Sequence, residues 1–546
     1  MALPAVPMAL AGRADLAVYA MLGSFTTTFG RNLPYARRAR VLAVVAVAMT
    51  ACVAAGTALA AWARPADGGA GAAVTVAATA LVAGAAKFAC DAARLTGLGA
   101  VLLLFSFAVA ANAVATTGDV LPRTALAATG AAVAWALAVA GRWLQPDRPE
   151  RLAVAGALRE VADLCEATAP GAGEGTPGPP GGLVRHRATA AVLQAYRTLG
   201  RLPPASAAEH GRGDTCLRLA DLAWSLLVGS AARPPGDPAG LARDLRHQAR
   251  LLADRRLRRP PVLLTAGGPP PPSPAPRPGG SGTAAGAAGP GSPEAAELRA
   301  AELVAGPRHG RAAVLLVPAL RMVLGTGLAG GTALLLGLGH GYWASISAAA
   351  VLHSVNVRTA TQRAVQRTLG TVAGLLLAFG VLAAEPGPTV LVLVIVLLEF
   401  LLEYVVARNY GLGVVFLTPL ALLLSDLAAP AAAGVLVEDR ALGSVLGVGV
   451  ALGCALLVVH DRAAVRAQRA LGACAAASGR AERALTGGAV ESYPAVQSGL
   501  AAAVVELREA DDAAAGELWP AEIDPTELAA AERRAHLLLE RLHRGR

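Results

Sequence analysis

Two stretches of the chain repeat one pattern. Arg367-Thr-Leu-Gly-Thr-Val-Ala-Gly and Arg440-Ala-Leu-Gly-Ser-Val-Leu-Gly both read R-x-L-G-[ST]-V-x-G. Each opens an apolar run, at 364–384 and 441–460. An arginine at a helix start adds to the positive end of the helix dipole, a favourable place for an anion. The glycine pairs Gly370/Gly374, Gly443/Gly447 and Gly449/Gly453 are four residues apart and permit close helix approach. Two readings therefore stay open: an anion path, and helix packing with arginine anchored at the membrane interface.

Glu399 and Glu403 lie four apart within the apolar run 389–406, on one helix face. Carboxylates at membrane depth are costly, so they are expected to face the bundle interior or water. They read either as a proton-coupling pair or as structural partners for a buried arginine such as Arg321 or Arg408. The segment Gly339-His-Gly-Tyr-Trp-Ala344 places His340, Tyr342 and Trp343 on a turn between apolar runs, where Tyr and Trp are natural interface residues. Phosphate-loop, HExxH and GxSxG patterns are missing from the sequence, and none of the six cysteines forms a CxxC pair. No enzyme activity, cofactor or metal site is expected.

These residues need a membrane scaffold to position them. The 546 residues are 55% apolar and only 16% charged, with mean hydropathy +0.51; soluble domains carry about 25% charged residues. Runs such as 41–62 and 389–406 approach the ~20 apolar residues that cross a bilayer. Spans are predicted at about 14–30, 41–62, 71–89, 95–116 and 122–144, then at 313–337, 342–357, 364–384, 389–406, 410–428 and 441–460. The fold class is all-α and polytopic, with two helical blocks of about five and six spans.

The net charge is +10, and Lys87 is the only lysine. The arginines flank the spans, so the positive-inside rule explains the charge without a nucleic-acid partner. Arg37, Arg38 and Arg40 follow the first span, Arg142, Arg148 and Arg151 the fifth, and Arg462, Arg466 and Arg469 the last. This orientation places the middle segment and the C-terminus in the cytoplasm. The Ala-, Gly-, Arg- and Pro-rich composition suggests a bacterial plasma membrane. Four domains follow: a first membrane block over 1–145, a helical segment over 146–310, a second membrane block over 311–461 and a helical tail over 462–546. The middle segment has helical periodicity over 147–168, 183–202, 214–230 and 237–258, and a Pro/Gly-rich linker over 260–293 that is expected to be disordered. Arg40-Val-Leu-Ala-Val-Val-Ala resembles Arg367-Thr-Leu-Gly-Thr-Val-Ala. Matching the blocks there leaves the first without a partner for 313–337, which predicts a helix that is absent or encoded upstream.

The stretches HGYWASISAAAVLH (340–353), RAVQRTLGTVAGLLLA (363–378), NYGLGVVFLTPLALLL (409–424) and EDRALGSVLGVGVALG (438–453) resemble the fusaric acid resistance protein-like family. That family is related to aromatic acid exporters and more distantly to aluminium-activated malate transporters. The resemblance is strongest over 313–461, and the first block looks like a degenerate copy. It implies an integral membrane transporter that exports organic anions such as aromatic carboxylates. Carried over by motif, Trp343, Arg367, Gly370, Thr371, Tyr410, Thr418, Pro419, Arg440 and Gly443 become the residues to examine. Together with Arg321, His340 and Tyr342 they outline a substrate path. The leading expectation is a proton-driven exporter in the lipid bilayer, with a small organic anion as partner and a homo-oligomer among the assemblies open to it. A passive anion channel and a membrane scaffold without transport are the alternatives.

Overall fold

The computed structural model describes residues 2–30, 33–93, 95, 99–167, 182–203, 215–230, 236–257, 261–263, 311–354, 357–406, 409–428, 432–458, 462–487, 493–515 and 524–544. Most of the predicted linker 260–293, and Arg408, lie outside the described residues. Among the described residues the chain is helical, with no strand. The first block runs α1 (Ala2–Leu10), α2 (Ala14–Ser24), α3 (Tyr35–Ala63), α4 (Gly69–Ala92), α5 (Gly99–Asn112) and α6 (Val120–Leu144). The middle segment forms α7 (Arg148–Ala167), α8 (Gly182–Leu199), α9 (Thr215–Gly229) and α10 (Pro238–Ala253). The second block runs α11 (Arg311–Leu335), α12 (Tyr342–Leu352), α13 (Val357–Ala383), α14 (Pro388–Val405), α15 (Tyr410–Ala428) and α16 (Ala433–Val458). The tail forms α17 (Arg462–Leu485), α18 (Tyr493–Ala515) and α19 (Pro525–Arg544).

Eight of the described helices are long and apolar enough to cross a bilayer: α3, α4, α6, α11, α13, α14, α15 and α16. The chain is a polytopic all-α membrane protein. Three predicted spans are corrected. Residues 14–30, 95–116 and 342–357 give α2, α5 and α12, of 11, 14 and 11 residues. At a rise of ~1.5 Å per residue these reach about 17–21 Å, short of the ~30 Å hydrocarbon core. Their sequences are apolar on every side, and every residue of α12 from Trp343 to Leu352 is buried. Such helices belong inside a bundle, not against lipid. By contrast α3 buries only the stripe Leu42, Val45, Met49, Val53, Gly56, Thr57 and Ala60, and turns Val44 and Val47 outward.

The two blocks share one packing plan. Helix α2 packs on α6 as α12 packs on α16, and α3 packs on α5 as α13 packs on α15. Likewise α4 meets α5 and α3 meets α6, as α14 meets α15 and α13 meets α16. Across the blocks, α11 packs on α4 and α1 on α14, while α12 touches α5 and α2 touches α15. This is a twofold relation between halves, a common transporter plan. Backbone approaches set its register. A Cβ on Gly447 would strike the carbonyl oxygen of Ala344, and one on Gly130 the carbonyl oxygen of Ala20. Similarly Gly374 abuts Val415 and Thr418, while Gly56 abuts Phe107 and Ala110. The last pair corrects the match of Arg40 with Arg367. In the packed register Met49, seven residues before Gly56, takes the place that Arg367, seven before Gly374, holds in the second block.

The middle segment and the tail form one body. Helices α7–α10 and α17–α19 share a single core that includes Leu158, Tyr196, Trp224, Leu245, Cys474, Leu500 and Leu538. Arg151 fastens the start of α7 to the end of α10, donating to the carbonyl oxygens of Leu252 (3.0 Å), Asp254 (2.9 Å) and Leu257 (2.6 Å). Buried Tyr196 donates its hydroxyl to Asp221 at 2.7 Å and meets Trp224 edge-on.

Candidate anion site

Arg440 and Arg367 are buried together in the second block, each only 1% exposed. Neither stands at a helix start as expected. Helices α13 and α16 begin about two to three turns earlier, at Val357 and Ala433, because 357–366 and 433–439 already continue the helix. A dipole effect confined to the first turn therefore does not reach them. The two helices run antiparallel: Leu375 and Ala378, late in α13, cluster with Leu436, early in α16. That places the two arginines at one level, where both reach α12: Arg440 at Trp343 and Arg367 at Ser347, one turn on.

The Arg440 guanidinium lies 4.0 Å over the ring of Trp343, which is 1% exposed. Gly443 and Gly447 make this contact possible, since side chains there would collide with Trp343, Ala344 and Ser347. Arg367 donates to the Ser347 hydroxyl at 3.3 Å. Around the arginines, Nε and Nη1 of Arg440, Nε of Arg367 and the hydroxyls of Thr371, Thr418, Tyr410 and Ser444 are buried without a hydrogen-bond partner. Among the described residues neither guanidinium has a carboxylate partner. A desolvated cation–π contact is worth about 2 kcal/mol. Burying an uncompensated charge costs several kcal/mol, so the ring alone does not balance Arg440.

The other candidates surround this pair. Gly370 and Gly374 bring α13 against α15 at Gly411, Val414, Thr418 and Pro419. Tyr410 carries the Arg363 guanidinium 5.7 Å from its ring centroid. Tyr342 is half-buried beside Trp343. It stacks on Trp343 at 4.7 Å between centroids and shares a 3.2 Å hydrogen bond with Ser425. His340 sits at the edge of the cluster, its Nδ1 2.6 Å from Asp439 Oδ2. Arg321 stands apart, donating from α11 to the carbonyl oxygens of Leu352 (3.0 Å) and Ser354 (2.7 Å), so it caps the end of α12. Glu399 and Glu403 are half-buried on α14, beside its inward stripe Leu391, Ile395, Leu398 and Leu402.

Sequence reasoning missed Ser347, Ser444 and Phe105. Ser444 was within reach: it follows Arg440 by four residues, as Thr371 follows Arg367, and so shares its helix face. Ser347 lies one turn after Trp343 on a helix whose sides look alike in sequence. Phe105 comes from the first block, 6.2 Å from the ring of Trp343, and nothing local foretells that contact.

Known proteins bear on this block. Residues 328–481 match a family model described as fusaric acid resistance protein-like. The chain is also similar to the uncharacterized membrane protein YvaC of Bacillus subtilis (strain 168), 34% identical over 202 residues. That similarity covers 35% of this chain and 31% of the relative, so the chain spans less than a third of the length of the relative it matches. No solved structure matches. The family match covers α12–α16 with the end of α11 and most of α17, so the second membrane block, with the arginine pair at its centre, is the part of the chain that is similar to the fusaric acid resistance protein-like family.

Proposed function

We propose that the chain is a secondary transporter of organic anions and that Arg440, Arg367 and the hydroxyls around them hold the anion. One observation carries the reading. Two guanidiniums are buried against one helix, α12, with unused N–H donors and no carboxylate partner among the described residues. A carboxylate arriving between them supplies the missing charge and the missing acceptors. The rings of Tyr342 and Phe105, packed about Trp343, give the surroundings of the pair an apolar character that suits a ligand with an apolar body, so an aromatic carboxylate is the substrate class. The family match supports transport as the activity.

Export is driven by the proton gradient, with Glu399 and Glu403 as the titrating groups, half-buried on a crossing helix. The shared body of α7–α10 and α17–α19 lies in the cytoplasm of a bacterial plasma membrane, the side to which the flanking arginines assign it. The test is efflux of labelled benzoate from proteoliposomes under an imposed pH gradient. Arg440→Ala and Arg367→Ala should each slow efflux at least ~30-fold, as loss of a charged hydrogen-bonding partner worth about 2 kcal/mol or more implies. Efflux at the wild-type rate in both variants sinks the site. Glu399→Gln should flatten the dependence on the gradient, and an intact dependence removes the proton role. Conductance that ignores the pH gradient would instead mark a channel.

A further inference from the structure

In the first block, too, an arginine covers an aromatic ring, but there it has its own counter-ion. The Arg123 guanidinium lies 4.9 Å over the ring of buried Tyr19. Its Nη2 donates to the Val114 carbonyl oxygen at 2.8 Å and stands 3.8 Å from Asp119 Oδ2, which also accepts from the Thr116 N–H (2.8 Å) and hydroxyl (2.7 Å). Its Nε and Nη1 are buried without a partner, like those of Arg440.

Three features put the two places in one register. Tyr19 corresponds to Trp343. Ala20, struck by a Cβ on Gly130, corresponds to Ala344, struck by a Cβ on Gly447. Arg123 and Arg440 each precede their glycine by seven residues. In that register Asp119, four residues before Arg123, falls on Leu436, four before Arg440. Residues four apart are neighbours on a helix, and acid before base is the favourable order. The backbone at Asp119 is already helical, so the spacing holds there. Leu436 is instead apolar and 1% exposed, packed with Leu375, Ala378 and Leu422.

We infer that the first block holds a masked copy of the anion site, in which Asp119 takes the place of a ligand carboxylate, and that the apolar residue at 436 is what leaves Arg440 to a carboxylate from solution. The chain then binds one monocarboxylate, in the second block. The masked copy also has one guanidinium where the open site has two, because Met49 takes the place of Arg367. This inference rests on the anion site proposed above.

The experiment is equilibrium binding of benzoate to the purified full chain in lipid nanodiscs. The wild type should bind one benzoate per chain. Leu436→Asp should weaken binding at least tenfold, while Leu436→Asn stays within threefold. Asp119→Asn, which keeps an acceptor for Thr116, should add a second, weaker benzoate that Arg123→Gln removes again. Wild-type affinity in Leu436→Asp, or equal losses in the Asp and Asn variants, overturns the inference. If Leu436→Asp does not fold, Asp119→Asn decides alone: two benzoates support the masked copy and one overturns it. A wild type that binds none, or Arg440→Ala binding normally, overturns the transport site itself and this inference with it.

Discussion

In each membrane block a short buried helix lays an aromatic ring beneath an arginine from the last helix of that block. Tyr19 lies under Arg123 and Trp343 under Arg440. Glycines at matching places let the two helices touch backbone to backbone. The surroundings differ. Among the described residues Arg123 has Asp119 and a backbone carbonyl, and no second arginine, while Arg440 has Arg367, hydroxyls and no acid. Thus one packing plan carries two charge inventories. Glycine contacts dictate the fold of a half, while in the proposed reading a few side chains at one level decide whether it binds an anion. The first block keeps a structural duty even so, because Phe105 presses on the ring that supports Arg440.

The largest expected effect tests that division directly. Arg440→Gln should reduce benzoate affinity ~100-fold, since it removes a charge-assisted contact and leaves buried Arg367 facing the ligand alone. Arg123→Gln should leave affinity within threefold. Titration of both variants against benzoate measures the contrast, and equal losses would make the blocks functionally equivalent.

A second effect must be separated from the first whenever pH is varied, because the extramembrane body has its own titration. Burial holds the His536 imidazole down to about 4, with Arg185 adding to the effect. The unfolded chain takes up this proton near pH 6.5 and the folded chain does not. Stability supplied by neutral His536 is therefore full above about pH 6.5 and falls as pH drops towards 4, by roughly 3 kcal/mol in all. Glu532 and Asp511, held up by burial, act in the opposite sense. Denaturation of wild type and His536→Gln across pH 4–7 should show the smaller slope in the variant. Identical slopes would place the pH response elsewhere.

The glycine contacts predict equal effects in the two blocks. Gly130→Val and Gly447→Val each put a side chain into a backbone carbonyl of the facing helix. Each should destabilise its block by about 1–3 kcal/mol, read as a fall in thermal midpoint. A fall in only one variant would break the twofold register on which the comparison depends.

Much of the second block was legible because its chemistry is local. The R-x-L-G-[ST]-V-x-G repeat names both arginines, Thr371 and the packing glycines within eight-residue windows. Pairings across long separations were not legible. Arg440 meets Trp343 and Asp439 meets His340 about a hundred residues away, and periodicity says which face is apolar but not what it faces. The same limit hid the shared core of α7–α10 and α17–α19. Hydropathy misread α2, α5 and α12 as spans because it measures apolar content, which is as high in a helix surrounded by helices as in one surrounded by lipid.

The smallest effect concerns what the ring beneath Arg440 does. One side of Trp343 is covered by the guanidinium and Phe105 approaches at 6.2 Å, so a ligand has little ring left to stack on. Trp343 is then a positioning residue, and indole is the best of the cation–π partners. Trp343→Phe keeps an aromatic ring but weakens the support by about 1 kcal/mol, so benzoate affinity should fall about fivefold. A saturated aliphatic acid of similar size should lose the same factor, because the ring acts on the arginine and not on the ligand. A loss confined to aromatic acids would mean that the ligand displaces Phe105 and stacks on Trp343. Tyr19→Phe should leave both affinities unchanged, since Asp119 already answers the charge of Arg123 in that block.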